Sequence, residues 1–155
     1  MAIAAGRRKR GRVKRLWALI ALVLLAGCRE VRVQTFAQGS TTAVGSNQFV
    51  IARNAAELER FGIKAPLHYR GEFGVLLLMG PHQRSGYRQV VESIRASDQR
   101  VRVVAFEEAP ADGGEPALEY RTYTLWIIPN SVYRRGIHVD AVTPSNEPIA
   151  SMELP

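Results

Sequence analysis

The feature that most restricts how this chain can fold is an apolar segment that leads into its single cysteine, Cys28. Seven Lys and Arg residues lie between positions 7 and 15, and positions 16–26 are uninterrupted apolar sequence. A basic region, a short apolar region and a small-residue exit are typical of a secretory signal peptide. The apolar segment is also shorter than the roughly 20 residues that cross a bilayer. We therefore predict that residues 1–27 are a signal peptide and that the remaining chain folds after export.

The four residues at the end of this leader, Leu25, Ala26, Gly27 and Cys28, resemble the lipobox of bacterial lipoproteins. In that class the thiol receives a diacylglyceryl group, cleavage falls just before the cysteine, and further acylation, for example with palmitate, makes the attachment stable. The resemblance implies lipid attachment at Cys28 and a bacterial cell-envelope location, facing the periplasm or the surface. Because Arg29 rather than Asp follows the cysteine, the outer membrane is favoured. The alternative is a conventional cleavage site beside an ordinary small apolar residue.

Charge divides the chain at the same point. Seven of the 21 Lys and Arg precede Cys28 and none of the 14 Asp and Glu do, so the remainder has 14 of each sign and a formal net charge of zero. Nucleic-acid binding needs a basic face on the folded domain, so we expect no nucleic-acid partner. The remainder is long enough for one domain with a core. With its only thiol lipidated, it forms no internal disulfide.

Three regions are expected after the leader. Residues 28–47 are mostly small and polar towards their end and predict a tether between lipid and domain, with at most one short strand. Residues 48–142 contain the β-type runs and predict the folded domain. Residues 143–155 contain three prolines and predict a flexible tail.

One helix is predicted near the start of the domain, from Ala55 to about Phe61. Asn54 is a favoured N-cap residue, and Glu57 follows at the spacing of a capping box. Leu58 and Phe61 share one face of a helix, and Gly62 supplies the stop signal. A helix this short forms only when packing holds it, so we expect the Leu58 and Phe61 face to lie on a sheet.

The domain as a whole is predicted to be mainly β, an antiparallel sheet or small sandwich of about five to six strands with one short helix packed on it. Apolar residues at both parities in 74–79 are typical of a central strand that is covered on two faces. Short turns between the runs imply antiparallel pairing. The predicted strands cover 49–51, 74–79, 87–94, 101–106, 120–128 and 137–139, with turns or loops at 80–86, 97–99 and 110–116.

Catalytic and metal-binding patterns are sparse. His68, His82 and His138 are widely spaced and form no ligand pattern with carboxylates or a second cysteine, so we expect no metal and no cofactor. His82 and Ser85 share one predicted turn, and a small hydrolase using both is an alternative function. A nucleophile, however, needs a base held in register and an oxyanion site, which a Gly- and Pro-rich turn does not usually supply.

In each of two residue pairs, the two side chains are expected to lie on opposite faces of one strand. Glu107 and Glu108 are adjacent, and adjacent strand residues point in opposite directions, so they are not a catalytic carboxylate pair. Tyr123 and Trp126 are separated by an odd number of positions and are likewise expected on different faces of one core strand.

From about residue 48 to residue 130, the order of elements resembles the C-terminal domain family of PrcB-type protease complex subunits. That family has an apolar strand followed by Gly, a turn ending in Thr-Gly-Gly-Tyr, a Val-rich strand closing on Glu and Pro, a Gly-containing loop, and a strand ending in Ile-Pro. The corresponding stretches here are 75–80, Arg84-Ser85-Gly86-Tyr87, 101–110, and 123–129. Arg84 and Ser85 stand where the family has Thr and Gly, whereas Gly86 and Tyr87 match it.

The resemblance implies a membrane-anchored, non-catalytic binding or assembly module that is accessory to a secreted or surface protease. Arg84 to Tyr87 form its candidate interaction turn, and the expected partners are membrane lipid, through Cys28, and a protein. The turn is also similar to the Thr-Thr-Gly-Tyr loop of chagasin-type protease inhibitors, so a loop-presenting inhibitor is an alternative. A structural envelope lipoprotein without a dedicated partner is another.

Overall fold

The computed structural model describes residues 34–65, 71–97, 99–132 and 134–155. Its described part contains eight strands, one short α-helix and one 3₁₀ turn, so the mainly β prediction is confirmed. The elements are β1 (Gln34–Thr41), β2 (Gln48–Ala52), α1 (Ala55–Glu59), β3 (Glu72–Arg84), β4 (Arg88–Ala96), β5 (Arg100–Glu108), β6 (Pro116–Pro129), the 3₁₀ turn (Asn130–Val132), β7 (His138–Val142) and β8 (Pro148–Glu153). Several predictions fall outside the described residues: the signal peptide, the lipobox residues Leu25, Ala26 and Gly27, the lipid site Cys28, and His68.

The strands form two four-stranded sheets that pack face to face. Sheet A has the order β1-β6-β3-β2, and sheet B has the order β4-β5-β7-β8. All neighbours pair antiparallel except β5 and β7, which are parallel. The sequence predicted wholly antiparallel pairing because its strands are joined by short turns. The β5 and β7 strands are not consecutive, and β6 in the other sheet lies between them in the chain, so no turn geometry constrains their direction.

Both faces of the central strand β3 are apolar because a core cluster covers each of them. The odd-numbered residues from Phe73 to Met79 join Val103 and Trp126 in the core between the sheets. Leu76 and Leu78 point the other way, where Leu58 of α1 covers them in a second core cluster. The prediction of a strand covered on two faces is therefore confirmed, and the predicted packing of the helix against a sheet is confirmed with it.

The short helix α1 is fixed at its start by its own side chains. Asn54 is the N-cap, and its Oδ1 accepts a hydrogen bond from the Glu57 backbone N–H at 3.0 Å. The Glu57 carboxylate reaches back and accepts from the Arg53 N–H at 2.7 Å. Gly62 has a positive φ of 69° after the helix, as its stop role requires. The helix ends at Glu59, two residues before the predicted end, because Phe61 already belongs to that closing turn.

Two segments outside the predicted domain form strands: the tether, where one short strand was allowed, and the tail, which was predicted to be flexible. Residues 34–41 of the predicted tether form β1, which pairs with β6 from Gln34↔Ile127 to Thr41↔Arg121. Residues 148–153 of the predicted tail form β8, which pairs with β7. Backbone pairing does not require apolar side chains, so small and polar residues do not exclude a strand beside an existing one. The prolines are compatible because Pro148 is the first residue of β8 and Pro155 follows its end.

The predicted turn at 80–86 is mostly strand, which corrects that prediction. β3 continues to Arg84, and only Ser85 and Gly86 form the turn before β4. The β3–β6 register shifts between Met79 and His82 and again between His82 and Arg84. These irregularities accommodate the Gly and Pro residues that the sequence reasoning interpreted as the end of the strand.

Candidate functional site

The sandwich has two different ends, and the candidate interaction turn lies at one of them. One end contains the β3–β4 turn at 84–87 and the β5–β6 loop at 109–115, and we name it the turn end. The register places Arg84 opposite Pro116 and Arg88 opposite Glu108, so turn and loop leave their sheets side by side. The opposite end, where β1 begins and β6 ends, is named the base end. Arg84, Ser85 and Gly86 are exposed and Tyr87 is half-buried.

Hydrogen bonds fasten the turn to the neighbouring loop. The Ser85 N–H donates to the Glu115 carbonyl at 2.8 Å, and the Glu115 N–H donates to the Ser85 hydroxyl at 3.2 Å. The Arg84 guanidinium donates to the carbonyls of Gly113 and Gly114 at 3.3 and 3.2 Å. Two connections between the sheets are thus joined by backbone and side-chain bonds, which fixes the position of the turn although it faces solvent.

Two glycines make this close approach possible. Gly86 has φ of 95°, and a Cβ there would lie 2.7 Å from the Pro110 Cβ. Gly114 has φ of 66°, and a Cβ there would lie 2.2 Å from the Ser85 carbonyl oxygen. Neither position can carry a side chain without moving the opposite segment. Gly86, which the sequence reasoning selected as part of the turn, is therefore required by both backbone conformation and packing.

Tyr120 and His82 of sheet A hold the turn in place. The Tyr120 hydroxyl donates to the Arg84 carbonyl at 2.7 Å and accepts from the Tyr87 N–H at 3.2 Å. The Tyr87 ring stacks on the His82 ring, with centroids 3.9 Å apart and planes 10° from parallel. Tyr120 is on β6 and His82 is on β3, so sheet A supports the turn that leads into sheet B.

A polar cluster then ties this support to sheet B. His82 Nε2 lies 2.7 Å from Glu107 Oε1, and the Thr122 hydroxyl donates to the same carboxylate oxygen. The side chains of His82 and Glu107 are only 13% and 14% exposed. Glu107 belongs to β5, whereas His82 and Thr122 belong to β3 and β6, so the cluster bridges the two sheets directly below the turn.

A second polar bridge lies deeper in the interface. Gln89 on β4 is buried, and its amide nitrogen donates to the carbonyls of Leu77 and Thr122 at 3.2 and 3.1 Å. Its amide oxygen accepts from the Thr124 hydroxyl at 2.7 Å. Buried polar groups that are satisfied in this way orient their neighbours without leaving an unpaired group.

The other predicted residues are arranged as follows. Glu107 binds His82 in the interface, while Glu108 pairs with Arg88 at 2.5 Å on the other side of the strand, so the two carboxylates do serve opposite faces. Tyr123 packs in the helix-covered cluster and Trp126 in the core between the sheets, which confirms that prediction too. His138 is exposed at the start of β7.

His82 and Ser85 bond to different partners in this geometry. The imidazole Nε2 bonds to Glu107, and the Ser85 hydroxyl accepts from the loop backbone. Within the described residues, no hydrogen bond joins the two side chains, and no cluster of three or more His, Cys, Asp or Glu residues could hold a metal ion. No helix in the part of the chain that the structure describes is both long and apolar enough to cross a bilayer.

Arg121 is the residue that the sequence reasoning missed. It is 1% exposed, donates through Nε to the Ala43 carbonyl at 2.7 Å and through Nη1 to the Ser46 carbonyl at 2.8 Å, and so fixes the β1–β2 loop. Its Nη2 is buried without a partner among the described residues, and burial lowers the pKa of the guanidinium below its usual value. The available signal was parity, because Arg121 shares a strand face with Tyr123 and Leu125.

The base end contrasts with the polar turn end. An apolar cavity of about 80 Å³ lies there between the sheets, with Phe73, Ile94, Val139 and Trp126 among its lining residues. Trp126 is 2% exposed, and its indole N–H has no partner among the described residues.

Known proteins give no further guide to either end. No family model, curated protein or solved structure matches the chain. The case for a function therefore depends on the residues, the geometry and the sequence resemblance described above.

Proposed function

We propose that this chain is a lipid-anchored protein of the bacterial cell envelope whose turn, Arg84 to Tyr87, binds a protein partner without catalysing a reaction. The observation that carries the proposal is the clamping of an exposed turn by the 113–115 loop on one side and by Tyr120 beneath it. A turn that is already ordered loses little conformational entropy on binding. Binding loops on rigid β frameworks use this arrangement widely.

The position of the turn supports the same function. The start of β1 pairs at Ile127 and the turn pairs at Pro116, so they are separated by roughly 35 Å along β6 at the usual rise of about 3.3 Å per residue. Cys28 precedes β1 by six positions. An anchor at Cys28 therefore attaches to the base end, and the turn lies at the far end, where it is accessible to a partner.

The proposed partner is an envelope protease or a subunit of a protease complex. This part of the proposal rests on the resemblance of residues 48–130 to the PrcB-type subunit domain. In support of a non-catalytic role, His82 and Ser85 bond to different partners, Glu107 and Glu115. Assistance to a partner's assembly or stability is the activity that this arrangement supports best.

Photo-crosslinking in the native envelope tests the proposal. A photoreactive amino acid replaces Gln83, which is exposed beside the turn, in the full-length chain; the matched control replaces Glu92, which is exposed in the middle of β4. We expect one dominant adduct from position 83, with a protease or protease subunit identified by mass spectrometry, and little of it from position 92. Equal adducts from both positions, or none from position 83, would refute the binding role of the turn.

The activity of the captured partner separates the accessory role from inhibition. Addition of the purified protein should preserve or raise proteolysis by the partner if the protein is an accessory subunit. A stoichiometric loss of proteolysis would instead show a loop-presenting inhibitor.

A further inference from the structure

The base end has an apolar interior, but its outer surface on sheet B is basic. Five arginines lie where β4 ends, where β5 begins and just before β7 begins: Arg95, Arg100, Arg102, Arg134 and Arg135. We name this set the basic cluster. Arg102 is half-buried, and the other four are exposed. The carboxylates at the same end of the described part of sheet B are Asp140 and Glu153, so the cluster has an excess of positive charge.

The strand register places two of these cations directly opposite each other. Arg95 on β4 is the register partner of Arg102 on β5. Their chain neighbours Ile94 and Val103 pack in the core between the sheets, so both arginines lie on the outer face of sheet B. Like charges directly opposite one another on a sheet are destabilising. An anion bound on this face would offset the repulsion.

Partners within the fold neutralise only part of the basic cluster. Arg100 forms an ion pair with Asp140 at 2.7 Å. Arg102 donates to the side-chain oxygen of Asn146, which is a neutral acceptor. Among the described residues, no carboxylate forms an ion pair with Arg95 or Arg102. Positive charge on the outer face of sheet B is therefore available to an external anion.

The exposed charge at the turn end has the opposite sign. Asp112, Glu115 and Glu119 are exposed there, and no ion pair opposes them in the part of the chain that the structure describes. The chain after Cys28 has no formal net charge, yet its exposed charges are separated between the two ends. A negatively charged surface would attract the base end and repel the turn end.

The proposed lipid anchor is attached at the same end as the basic cluster. β1 begins at Gln34, which pairs with Ile127 near the end of β6. Cys28 is six positions before Gln34, and an extended segment of that length spans about 20 Å. Lipid attached at Cys28 would therefore keep a bilayer within reach of the base end.

We infer that the basic cluster binds anionic lipid headgroups and holds the domain with its turn end facing away from the bilayer. The inference rests on the proposed function, because it uses the lipid anchor at Cys28. A guanidinium group donates two parallel hydrogen bonds to a phosphate, and basic residues beside a lipid anchor add a second, electrostatic attachment. Nucleic acids and acidic proteins are also polyanions, but only a lipid surface is brought to this end by the anchor of the chain itself.

Photo-crosslinking in vesicles tests the inference. A photoreactive amino acid replaces Gln99, which is exposed in the turn between β4 and β5 at the base end. The lipidated protein from the native envelope is reconstituted into vesicles of phosphatidylcholine, with or without about 30% phosphatidylglycerol. We expect the yield of lipid adduct from position 99 to be about fivefold higher in the anionic vesicles. Raising the salt from about 0.1 to about 1 M should remove the difference, because the screening length falls from about 10 to about 3 Å.

Paired substitutions identify the residues responsible. Arg95→Gln combined with Arg102→Gln should lower the yield in anionic vesicles to within about twofold of the yield in neutral ones. The matched control combines Arg60→Gln with Lys64→Gln, which removes two exposed cations near α1 on the other sheet and should change the yield less than about twofold. The melting temperature should not fall in the Arg95 and Arg102 double variant, since it removes a repulsive pair and Gln can still donate to Asn146.

The outcomes separate this inference from the proposed function. Equal yields in the two kinds of vesicle, or an unchanged yield in the double variant, would overturn the inference. A nucleic-acid or protein adduct in place of lipid, from position 99 in the native envelope, would also overturn it, because the occupant would then be another polyanion. If position 83 still captures a partner, either result leaves the binding role of the turn intact. A lipid-dependent adduct at position 99 with none at position 83 would instead refute the role of the turn alone.

Discussion

The two ends of the sandwich are built by different forces. At the turn end, directional hydrogen bonds from Arg84, Ser85 and Tyr120 fix an exposed turn, and Gly114 allows a loop to touch it. At the base end, apolar side chains surround Trp126 and leave a cavity of about 80 Å³. Burial stabilises a fold without dictating the orientation of a surface, whereas hydrogen bonds dictate orientation with a smaller net contribution. The difference teaches that apolar packing at the base end stabilises the fold, whereas hydrogen bonds at the turn end hold an exposed surface in one geometry.

The largest effect is expected from the base end. Trp126→Ala should lower the free energy of unfolding by about 3–5 kcal/mol, because it removes a buried aromatic side chain beside an existing cavity. Trp126→Phe keeps an aromatic ring and removes the unpartnered N–H, so it should cost less than about 1.5 kcal/mol. The free energies of unfolding of both variants are measured by urea unfolding. The signal is far-UV circular dichroism, because each substitution removes the only tryptophan that follows Cys28 and with it the tryptophan fluorescence. Equal losses would show that the buried aromatic ring does not stabilise the base end.

At the turn end, adjacent glycines provide a matched comparison. Gly113 and Gly114 both have positive φ, 78° and 66°, but a Cβ meets the Ser85 carbonyl only at Gly114. Gly113→Ala should cost about 1 kcal/mol from backbone conformation alone. Gly114→Ala adds a steric conflict and should cost about 2–3 kcal/mol, as measured by urea unfolding. If the two variants unfold at the same urea concentration, the loop does not clamp the turn.

The polar bridge below the turn permits a similar comparison of neighbours. Glu107→Gln weakens the bonds to His82 and Thr122 in a partly buried site and should cost about 1–2 kcal/mol. Glu108→Gln removes a pair with an exposed Arg88 and should cost less than about 0.5 kcal/mol. Thermal unfolding of both variants at one ionic strength measures the difference. A larger loss for Glu108→Gln would contradict the bridging role of Glu107.

The smallest effect is a gain at the base end. Val139→Ile places one more methylene in the cavity and should stabilise the protein by up to about 0.8 kcal/mol. Val104 is on the opposite face of its sheet from the neighbouring core residues Val103 and Ala105, so Val104→Ile should change stability by less than about 0.5 kcal/mol. A loss of more than 1 kcal/mol for Val139→Ile would show overpacking and therefore no usable space at the base end.

The sequence predicted what local chemistry determines. The capping residues Asn54 and Glu57 located the helix, and the two-sided apolar run located the centre of β3. It allowed one short strand in the tether without locating β1, and it did not predict β8, because both strands are defined by backbone pairing with a neighbouring strand rather than by their own side chains. The extent of β3 was missed for a related reason, since strand irregularities near His82 and a true turn have the same Gly and Pro signals.

The candidate site was predicted in its residues but not in its contacts. Ser85, Gly86 and Tyr87 were selected from the sequence, yet nothing local reveals that Glu115 and Gly114 hold them. The His82–Glu107 contact joins residues 25 positions apart, across two sheets whose arrangement the sequence left open. Contacts of this kind depend on which strands become neighbours, and the local patterns of one sequence do not reveal the strand order.

The most direct test of the account is mass spectrometry of the native protein purified from the cell envelope. The proposed binding role of the turn end requires that lipid hold the base end, so that the turn faces away from the membrane. We expect a chain that begins at Cys28 and carries a thioether-linked diacylglyceryl group. A chain that retains residues 1–27, or one with a free thiol at Cys28, would contradict the account.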